Sequence, residues 1–443
     1  MEKIFNIKIG KNGFGRFQFP INDNTSSLSF KLSGDLSFIS LMIYDGLNKL
    51  VGQIVTNKNV ERNLSRDICY SSPGFKRLKN YGNFTVEYIY FSKDKKPLLF
   101  EVYKDINLSQ KINDFPIGED KILSIDKRWY GGDFHTHTIF SDGKMTRVNN
   151  NKKAIEEGLD FFSPTDHNFN HFSWPKNSPL IIAGTEITSV FGHVNVFFEN
   201  ESIFEKFSLK SLLDEESFLK VVNSLSNKVF SINHPFMAEW KFTLGDFKLK
   251  NLKFMEIIND PTYSDSKLAT KLALKAWNIL LNNGYLVYGL GGSDSHLLPY
   301  EKYEGSILPS LIGDPRTYVY SNELSLKGIK ENMLKGNISV SRGKLIEVKN
   351  EGDTFLLKFF DKEFLGKKLI ANWILDGKVI KKDLNLNSKL KLDLNQAYHW
   401  LRVDIIDSDD DLFAFTNPYF FNLEKVSHKI FTWKELCEEV YND

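Results

Sequence analysis

An α/β domain, built on a parallel sheet or a β/α barrel and flanked by two β-rich domains, is the fold this sequence predicts. Three observations carry it. From about residue 125 strand-length apolar runs alternate with helix-length amphipathic runs, the pattern of strands joined by helical crossovers. Before and after that region, short alternating segments are separated by Gly, Asn, Asp and Pro turns, as in sandwiches. A chain of 443 residues also exceeds what a single hydrophobic core organises. The expected domains are 1–122, an N-terminal β-sandwich; 123–344, the α/β domain; and 345–443, a small C-terminal β domain with a short helical tail.

In chain order, 27–32 and 84–90 alternate as half-buried strands do. In the central region a helix ends at Gly158 and a strand follows over 159–163, with further strands over 180–187 and 193–198. Helical spacing runs over 208–225 through Leu209, Leu212, Leu213, Leu219, Val222 and Leu225. Strands at 229–233 and 254–259 precede a helix over 268–282, closed by Gly284. Strands at 286–290, 316–320 and 338–341 complete the domain, with a helix up to Gly336 between the last two. The segments 355–360, 368–375, 389–394 and 400–406 read as strands again, and Thr432-x-x-Glu435 is a capping box opening a final helix.

Composition excludes several function classes. Basic and acidic residues nearly cancel, 57 against 56, so no broad field attracts nucleic acid or an anionic membrane. No aromatic-interleaved basic strip is present either, which disfavours nucleic acid as a partner. The two cysteines, Cys69 and Cys437, are too few for a thiolate zinc site. No apolar stretch has the length of a membrane span or a signal-peptide core, and a soluble, cytoplasmic protein is expected.

Seven of the nine histidines fall between residues 135 and 296. His135 and His137 are two apart at the end of an apparent strand, where side chains at i and i+2 share a face. Asp142 follows in a turn. Asp166-His167 comes straight after the strand at 159–163, Glu186 ends the strand begun at 180, and His193 follows Gly192. His234 follows the strand at 229–233, and Asp294 and His296 follow the strand at 286–290. A lone His-x-His is a weak signal, and Gly291-Gly292 alone is compatible with a mere turn. The recurrence of ligand types at strand ends is stronger, because the C-terminal ends of barrel strands form one mouth. Imidazole with carboxylate suits Zn, Mn or Fe. Nine candidate ligands exceed what one tetrahedral ion takes, so two or three divalent metal ions are expected.

In this order the motifs resemble the PHP (polymerase and histidinol phosphatase) superfamily of metallohydrolases. They are His135-Thr136-His137-Thr138 with Ser141-Asp142-Gly143, Thr165-Asp166-His167-Asn168, Gly184-Thr185-Glu186, Gly192-His193, His234-Pro235 and Gly292-Ser293-Asp294-Ser295-His296. The lead-in Trp129-Tyr130-Gly131-Gly132-Asp133-Phe134 and the β-rich flanks are most similar to the CehA/McbA-like branch. The resemblance implies a distorted (β/α)7 PHP barrel over about 128–345. It implies a first ion on His135, His137, Glu186 and Asp294. A second shares Glu186 with His193 and His234, and a third lies on Asp142, His167 and His296. It leaves Asp166 as a group that orients His167 from behind.

The expected activity is metal-dependent hydrolysis of a small, anionic phosphoester by a water ionised between the ions. The alternatives are amide, carbamate or carboxyl-ester hydrolysis on the same centre, or a non-enzymatic carbohydrate- or protein-binding module with structural metals. Asp166 or His171 is a candidate proton shuttle, with a satisfied surface histidine as the plain reading of His171. Arg316 and Arg342 are candidate anion binders, against a structural ion pair for Arg316. Phe236, Met237 and Trp240, just after His234, are either pocket wall or core. The sequence leaves the oligomeric state open.

Overall fold

The structure is a computed structural model that describes residues 2–10, 13–34, 38–91, 96–108, 111–112, 114–393 and 395–442. The N-terminal region is a β-sandwich. One sheet pairs Glu2–Ile9, Leu98–Lys104, Ser27–Ser33 and Val60–Ser65; the other pairs Gly13–Ile21, Gly82–Phe91, Phe38–Tyr44 and Leu50–Thr56. Between them lie Phe30, Leu41, Ile43, Phe84, Val86 and Phe100, all fully buried. The inward side chains come from alternate positions, as the pleat requires.

The central strands form two sheets. In the first, Arg128–Thr136 pairs in parallel with Phe161–Pro164, which pairs in parallel with Leu180–Ile181. On its other side Arg128–Thr136 pairs antiparallel with Arg316–Ser321, which then pairs with Ile338–Ser341. The second sheet orders Gly184–Ser189, Gly192–Phe197, Val229–Ile232, Phe254–Asn259 and Tyr288–Gly292. Among the described residues these ladders do not close into one ring. The sheets meet instead at two single bridges, Thr136 to Ser295 and His167 to Glu186. Both bridges fall within the motifs that carry the candidate ligands.

Local sequence explains most element ends. Thr146 caps Arg147–Glu156 through the Asn149 amide, and the chain leaves through Gly158 at φ 68°. The expected helix over 208–225 is two pieces, a 3-10 turn Leu209–Leu213 and a helix Glu215–Asn223. Asp214 interrupts the run because its side chain accepts from the Ser217 amide as an N-cap. The strand expected over 180–187 likewise splits in two around 182–183, and Glu186 lies inside Gly184–Ser189 rather than at its end. Gly291-Gly292 is not a turn. Both residues end the Tyr288–Gly292 strand, and a Cβ at Gly292 would sit 2.5 Å from the His135 Cβ. Only a glycine allows that approach.

The first sheet continues without a break into the C-terminal strands, since Ile338–Ser341 pairs with Leu412–Thr416, followed by Trp400–Ile406 and Ile370–Leu375. Of the strand expected over 389–394, Lys389–Lys391 is observed, and position 394 lies outside the described residues. Arg402 ties this extension to the Ser266–Asn282 helix. It forms a bidentate pair with Asp404 at 2.8 and 3.0 Å, donates to Asn278 at 2.7 Å, and lies over the Trp277 ring. The Thr432–Glu435 capping box opens the helix Trp433–Tyr441 as expected. Trp433 donates to the Phe242 carbonyl at 2.9 Å and stacks on Phe236. Phe236 is therefore core. Met237 and Trp240 instead face a cavity beside His234.

Candidate metal centre

All nine candidate ligands converge on the rim where the two sheets meet. Their atoms form four overlapping groups, each within 4.8 Å: His137, Asp142, His167 and His296; His135, His137 and Asp294; His135, Glu186 and His234; His167, Glu186 and His193. His193 reaches this rim from the start of its strand. Gly184–Ser189 and Gly192–Phe197 form an antiparallel hairpin, so the beginning of one strand lies beside the end of the other. Glu186 sits at the centre and is fully buried. Its Oε1 lies 3.3 Å from His135 Nε2, 3.1 Å from His193 Nδ1 and 3.3 Å from His234 Nε2. Its Oε2 lies 2.7 Å from His167 Nδ1 and 3.4 Å from His137 Nε2. Asp294 Oδ1 approaches His137 Nε2 at 3.0 Å and His135 Nε2 at 3.3 Å. The Asp142 and His296 side chains, 30% and 23% exposed, form the solvent end of the cluster.

The imidazoles are fixed from behind. His135 Nδ1 lies 2.8 Å from Glu256 Oε1 and His296 Nδ1 lies 2.8 Å from the Asp294 carbonyl, while His167 Nδ1, which faces Glu186, also lies 2.6 Å from the Thr188 hydroxyl. Each Nε2 faces a carboxylate: Glu186 and Asp294 for His135, and Asp142 for His167 and His296. Five of the converging atoms, His135 Nε2, His137 Nε2, Asp142 Oδ1, Glu186 Oε2 and Asp294 Oδ1, are buried and make no hydrogen bond. Acceptors packed this way repel one another and forgo hydration. A shared cation resolves both costs, so the donor set fits divalent metal.

The electrostatics agree. Burial opposes charge on Glu186, but His135, His167 and His193 hold its carboxyl well below the usual range. Burial also opposes ionisation of Asp142 and Asp294, and surrounding imidazoles outweigh it in both. Burial would lower His296, yet Asp142 and Asp294 lift it to about 10. Burial, together with His296 and His167, pushes His137 down to about 4. Two candidate ligands, His234 at φ 28° and Asp294 at φ 48°, hold left-handed backbone. Such strain persists only where the surroundings over-determine it, and it clusters at working sites.

Neither Asp166 nor His171 lines the cavity into which the cluster opens. Asp166 is fully buried. Its Oδ1 accepts from the Thr138 amide at 2.7 Å and the Ser141 hydroxyl at 2.5 Å; its Oδ2 accepts from the Thr138 hydroxyl at 2.6 Å and pairs with His171 Nε2 at 2.6 Å. The His167 ring is not among these partners, so Asp166 does not orient it as expected; it pins the 138–141 loop that leads to Asp142. His171 is buried among Phe140, Phe169 and Trp174, not on the surface. Arg316 and Arg342 are also elsewhere. Arg316 begins a strand antiparallel to Arg128–Thr136, but its Nη2 donates to the Glu157 carbonyl at 2.6 Å. Arg342 holds Asp314 through two 2.9 Å bonds. Both line a separate surface cavity with Lys344 and Asp361.

The sequence reading missed four groups. Glu256 bonds His135, and its Oε2 accepts from the His234 amide at 2.9 Å and from Asn259 at 2.9 Å. A lone glutamate in the apolar run Phe254–Asn259 was its only signal. Asn233 donates to Glu186 Oε1 at 2.8 Å. Asp133 accepts from the amides of His135, Ser293 and Gly313, and burial pushes its carboxyl up to about 6. Asp260, at the cavity wall, is pushed up to about 7 by burial, with a contribution from the Asp294 charge. The N-terminal sandwich also reaches the centre, with the Phe38 ring 6.1 Å from that of His167 and Gln53 accepting from the Asn170 amide at 3.3 Å.

Outer partners of this kind typically set metal affinity by 10–100-fold. Glu256→Gln, which turns a carboxylate acceptor into an amide, is therefore expected to weaken metal retention by roughly 10–100-fold. Equilibrium dialysis against a chelator measures it; unchanged affinity would show that Glu256 does not hold His135.

No family model matches this sequence, and no curated protein matches it. Solved structures do. A two-domain protein from Bacteroides vulgatus containing a predicted PHP-like metal-dependent phosphoesterase aligns with 69% of this chain and 99% of its own, at 17% identity and a TM-score of 0.39. A proposed metal-dependent phosphoesterase from Bifidobacterium adolescentis aligns with 41% of this chain and 91% of its own, at 14% identity and a TM-score of 0.24. An amidohydrolase from Chromobacterium violaceum aligns with 46% and 96%, at 12% identity and a TM-score of 0.23. At this level of overlap the chemistry rests on the side chains themselves.

Proposed function

We propose that this chain is a metal-dependent hydrolase of PHP type. In this reading the two central sheets are the walls of a distorted barrel, and the nine converging side chains hold two or three divalent ions, Zn, Mn or Fe. The observation that carries it is the set of five buried ligand-type atoms around Glu186 that make no hydrogen bond. Bound ions would supply the chemistry of a water ionised near neutral pH and of charge stabilisation at the electrophile. The protein's own part is positional. Glu186 draws imidazoles from four strands and loops together, Glu256 holds the His135 tautomer, and Asp166 fixes the loop that presents Asp142. No protein nucleophile is required.

A small phosphoester is the leading substrate class, because the cluster opens at Asp142 and His296 into a cavity of about 260 Å3. A carboxyl-ester, carbamate or amide bond on the same centre is the second reading. It is favoured by the lining of that cavity, which contains no Lys or Arg among the described residues. The test is metal analysis of purified protein with a hydrolysis screen across phosphate monoesters, phosphodiesters, aryl carbamates and carboxyl esters. Bound divalent metal and phosphate release are expected, both lost together in His135→Ala. Full metal content and full activity in that variant would overturn the proposal.

A further inference from the structure

Trp129, in the lead-in to the first ligand motif, takes no part in the metal centre. It stands at the opposite end of Arg128–Thr136 from His135, about 20 Å along the strand. There it lines a cleft of about 650 Å3 between the central domain and the C-terminal strands. Its ring lies 5.4 Å from that of Tyr320, its cross-strand neighbour, and its Nε1 donates to Glu347 at 3.0 Å. The facing wall is the strand Glu347–Glu351, with Tyr419 and Phe420 beside it. The sheet that runs unbroken from Ile338–Ser341 into Leu412–Thr416 joins the two walls, so the cleft is pre-formed.

Glu347–Glu351 is the edge of its sheet. Its neighbour Thr354–Lys358 turns the Leu357 amide to the Ser388 carbonyl, on the far side. Antiparallel alternation then directs the backbone groups of Val348 and Asn350 away from that neighbour and into the cleft. Two carbonyls of the outward row are engaged: Ile346 accepts from the Ser339 hydroxyl at 2.6 Å, and Val348 accepts from the Tyr419 hydroxyl. The amides of Val348 and Asn350 and the Asn350 carbonyl have no partner among the described residues. The side chains of Lys335, Asn350 and Glu351, which also line the cleft, make no hydrogen bond or ion pair among the described residues.

We propose that this cleft binds a neutral oligosaccharide, at a site separate from the hydrolytic centre. A sugar ring is apolar on its C–H faces and carries hydroxyls around its rim. The cleft offers both halves of that match. Trp129, Tyr320 and Phe420 supply aromatic surface for the faces, and the unpaired backbone and side-chain groups supply donors and acceptors for the hydroxyls. Its charges cancel, Lys335 and Lys349 against Glu347 and Glu351, so no net field draws an anion. Its volume lies within the range of about 300–1,000 Å3 usual for ligand sites, which favour domain interfaces. An extended peptide is the poorer fit, because strand addition needs a free row of edge N–H and C=O groups. Ser339 and Tyr419 already occupy two carbonyls of that row. One short ligand does not span the roughly 20 Å to His135. The cleft therefore holds the protein on a glycan and does not present the bond to be cut.

The test uses the full-length, metal-loaded protein and a panel of neutral trisaccharides built from glucose, xylose, mannose, galactose and N-acetylglucosamine. Binding is measured by calorimetry and by the change in tryptophan fluorescence. At least one trisaccharide is expected to bind with a Kd below about 1 mM. Trp129→Ala should weaken it at least tenfold, and Trp129→Phe, which keeps a stacking face, should recover most of the loss. Because Trp129 also braces Glu347, a second variant is needed. Asn350→Trp fills the cleft from an exposed strand position and should abolish binding with an unchanged thermal midpoint. His135→Ala and metal removal should leave binding intact, which separates this site from the centre. Absence of binding across the panel, or binding that survives both Trp129→Ala and Asn350→Trp, would overturn the proposal. So would loss of binding in folded His135→Ala, or Trp129-dependent capture of random heptapeptides in place of the sugars.

Discussion

Replacing Glu186 by Gln is expected to abolish turnover and release metal. The substitution keeps the shape of the side chain and removes its charge. Five imidazoles, from His135, His137, His167, His193 and His234, lie within 3.4 Å of its two oxygens. A neutral amide cannot bridge cations that these rings help to hold, and its NH2 group would point a donor toward them. The expected loss is on the order of 10³-fold in kcat/KM, about 4 kcal/mol of transition-state stabilisation, with at least one equivalent of metal missing by elemental analysis. The fold should survive, because Asn233, which donates to Glu186 Oε1, still finds an acceptor in the carbonyl oxygen of the new amide, and apolar contacts are unaltered. A Glu186→Gln protein with full metal content and full rate would remove Glu186 from the centre.

Asp166→Ala should act differently, through stability and loop geometry. The carboxylate accepts from the Thr138 amide, the Thr138 hydroxyl and the Ser141 hydroxyl, and it pairs with His171. Its removal leaves these groups, and His171 Nε2, buried without an acceptor, which typically costs about 1–3 kcal/mol per group. The denaturation midpoint of the metal-binding region should fall, as followed by intrinsic fluorescence. Metal affinity should fall with it, because the loop carrying Asp142 is no longer pinned. Asp166→Asn retains one acceptor oxygen and should lose less. Burial opposes ionisation of Asp166, but His171 holds its pKa down to about 2. Its contribution to stability is therefore full above the ordinary carboxylate pKa of 3.8 and disappears as pH falls through about 2. An alanine variant with unchanged stability and metal affinity would show that the loop is held by other contacts.

The nine candidate ligands were legible in the sequence because they fall in short motifs at or near the ends of apolar runs, even though Glu186 lies inside its strand. Strand periodicity, the glycines at 158 and 284 and the Thr432–Glu435 box likewise announce themselves locally, since each is a backbone requirement met by neighbouring residues. What surrounds the ligands was not legible. Glu256 differs from any strand glutamate only in lying behind His135, more than a hundred residues away in the chain. Asp166, His171, Arg316 and Arg342 carry chemically able groups at promising motif positions. Whether such a group faces substrate or a buried partner depends on long-range packing that no local pattern encodes.

By itself the sequence determined an α/β centre between β-rich flanks and the identity of the side chains that meet there. The tertiary structure alone decided that His193 arrives from the start of an antiparallel hairpin strand and that the sandwich sets Phe38 against His167. It also decided that Asp166 is a buried anchor and that the wall facing the metal ligands is aromatic, with no cation among its described residues. The reason is physical. Strand alternation and turn chemistry act over a few residues and are written where they act, whereas burial, desolvation and charge pairing belong to contacts between segments that only folding brings together.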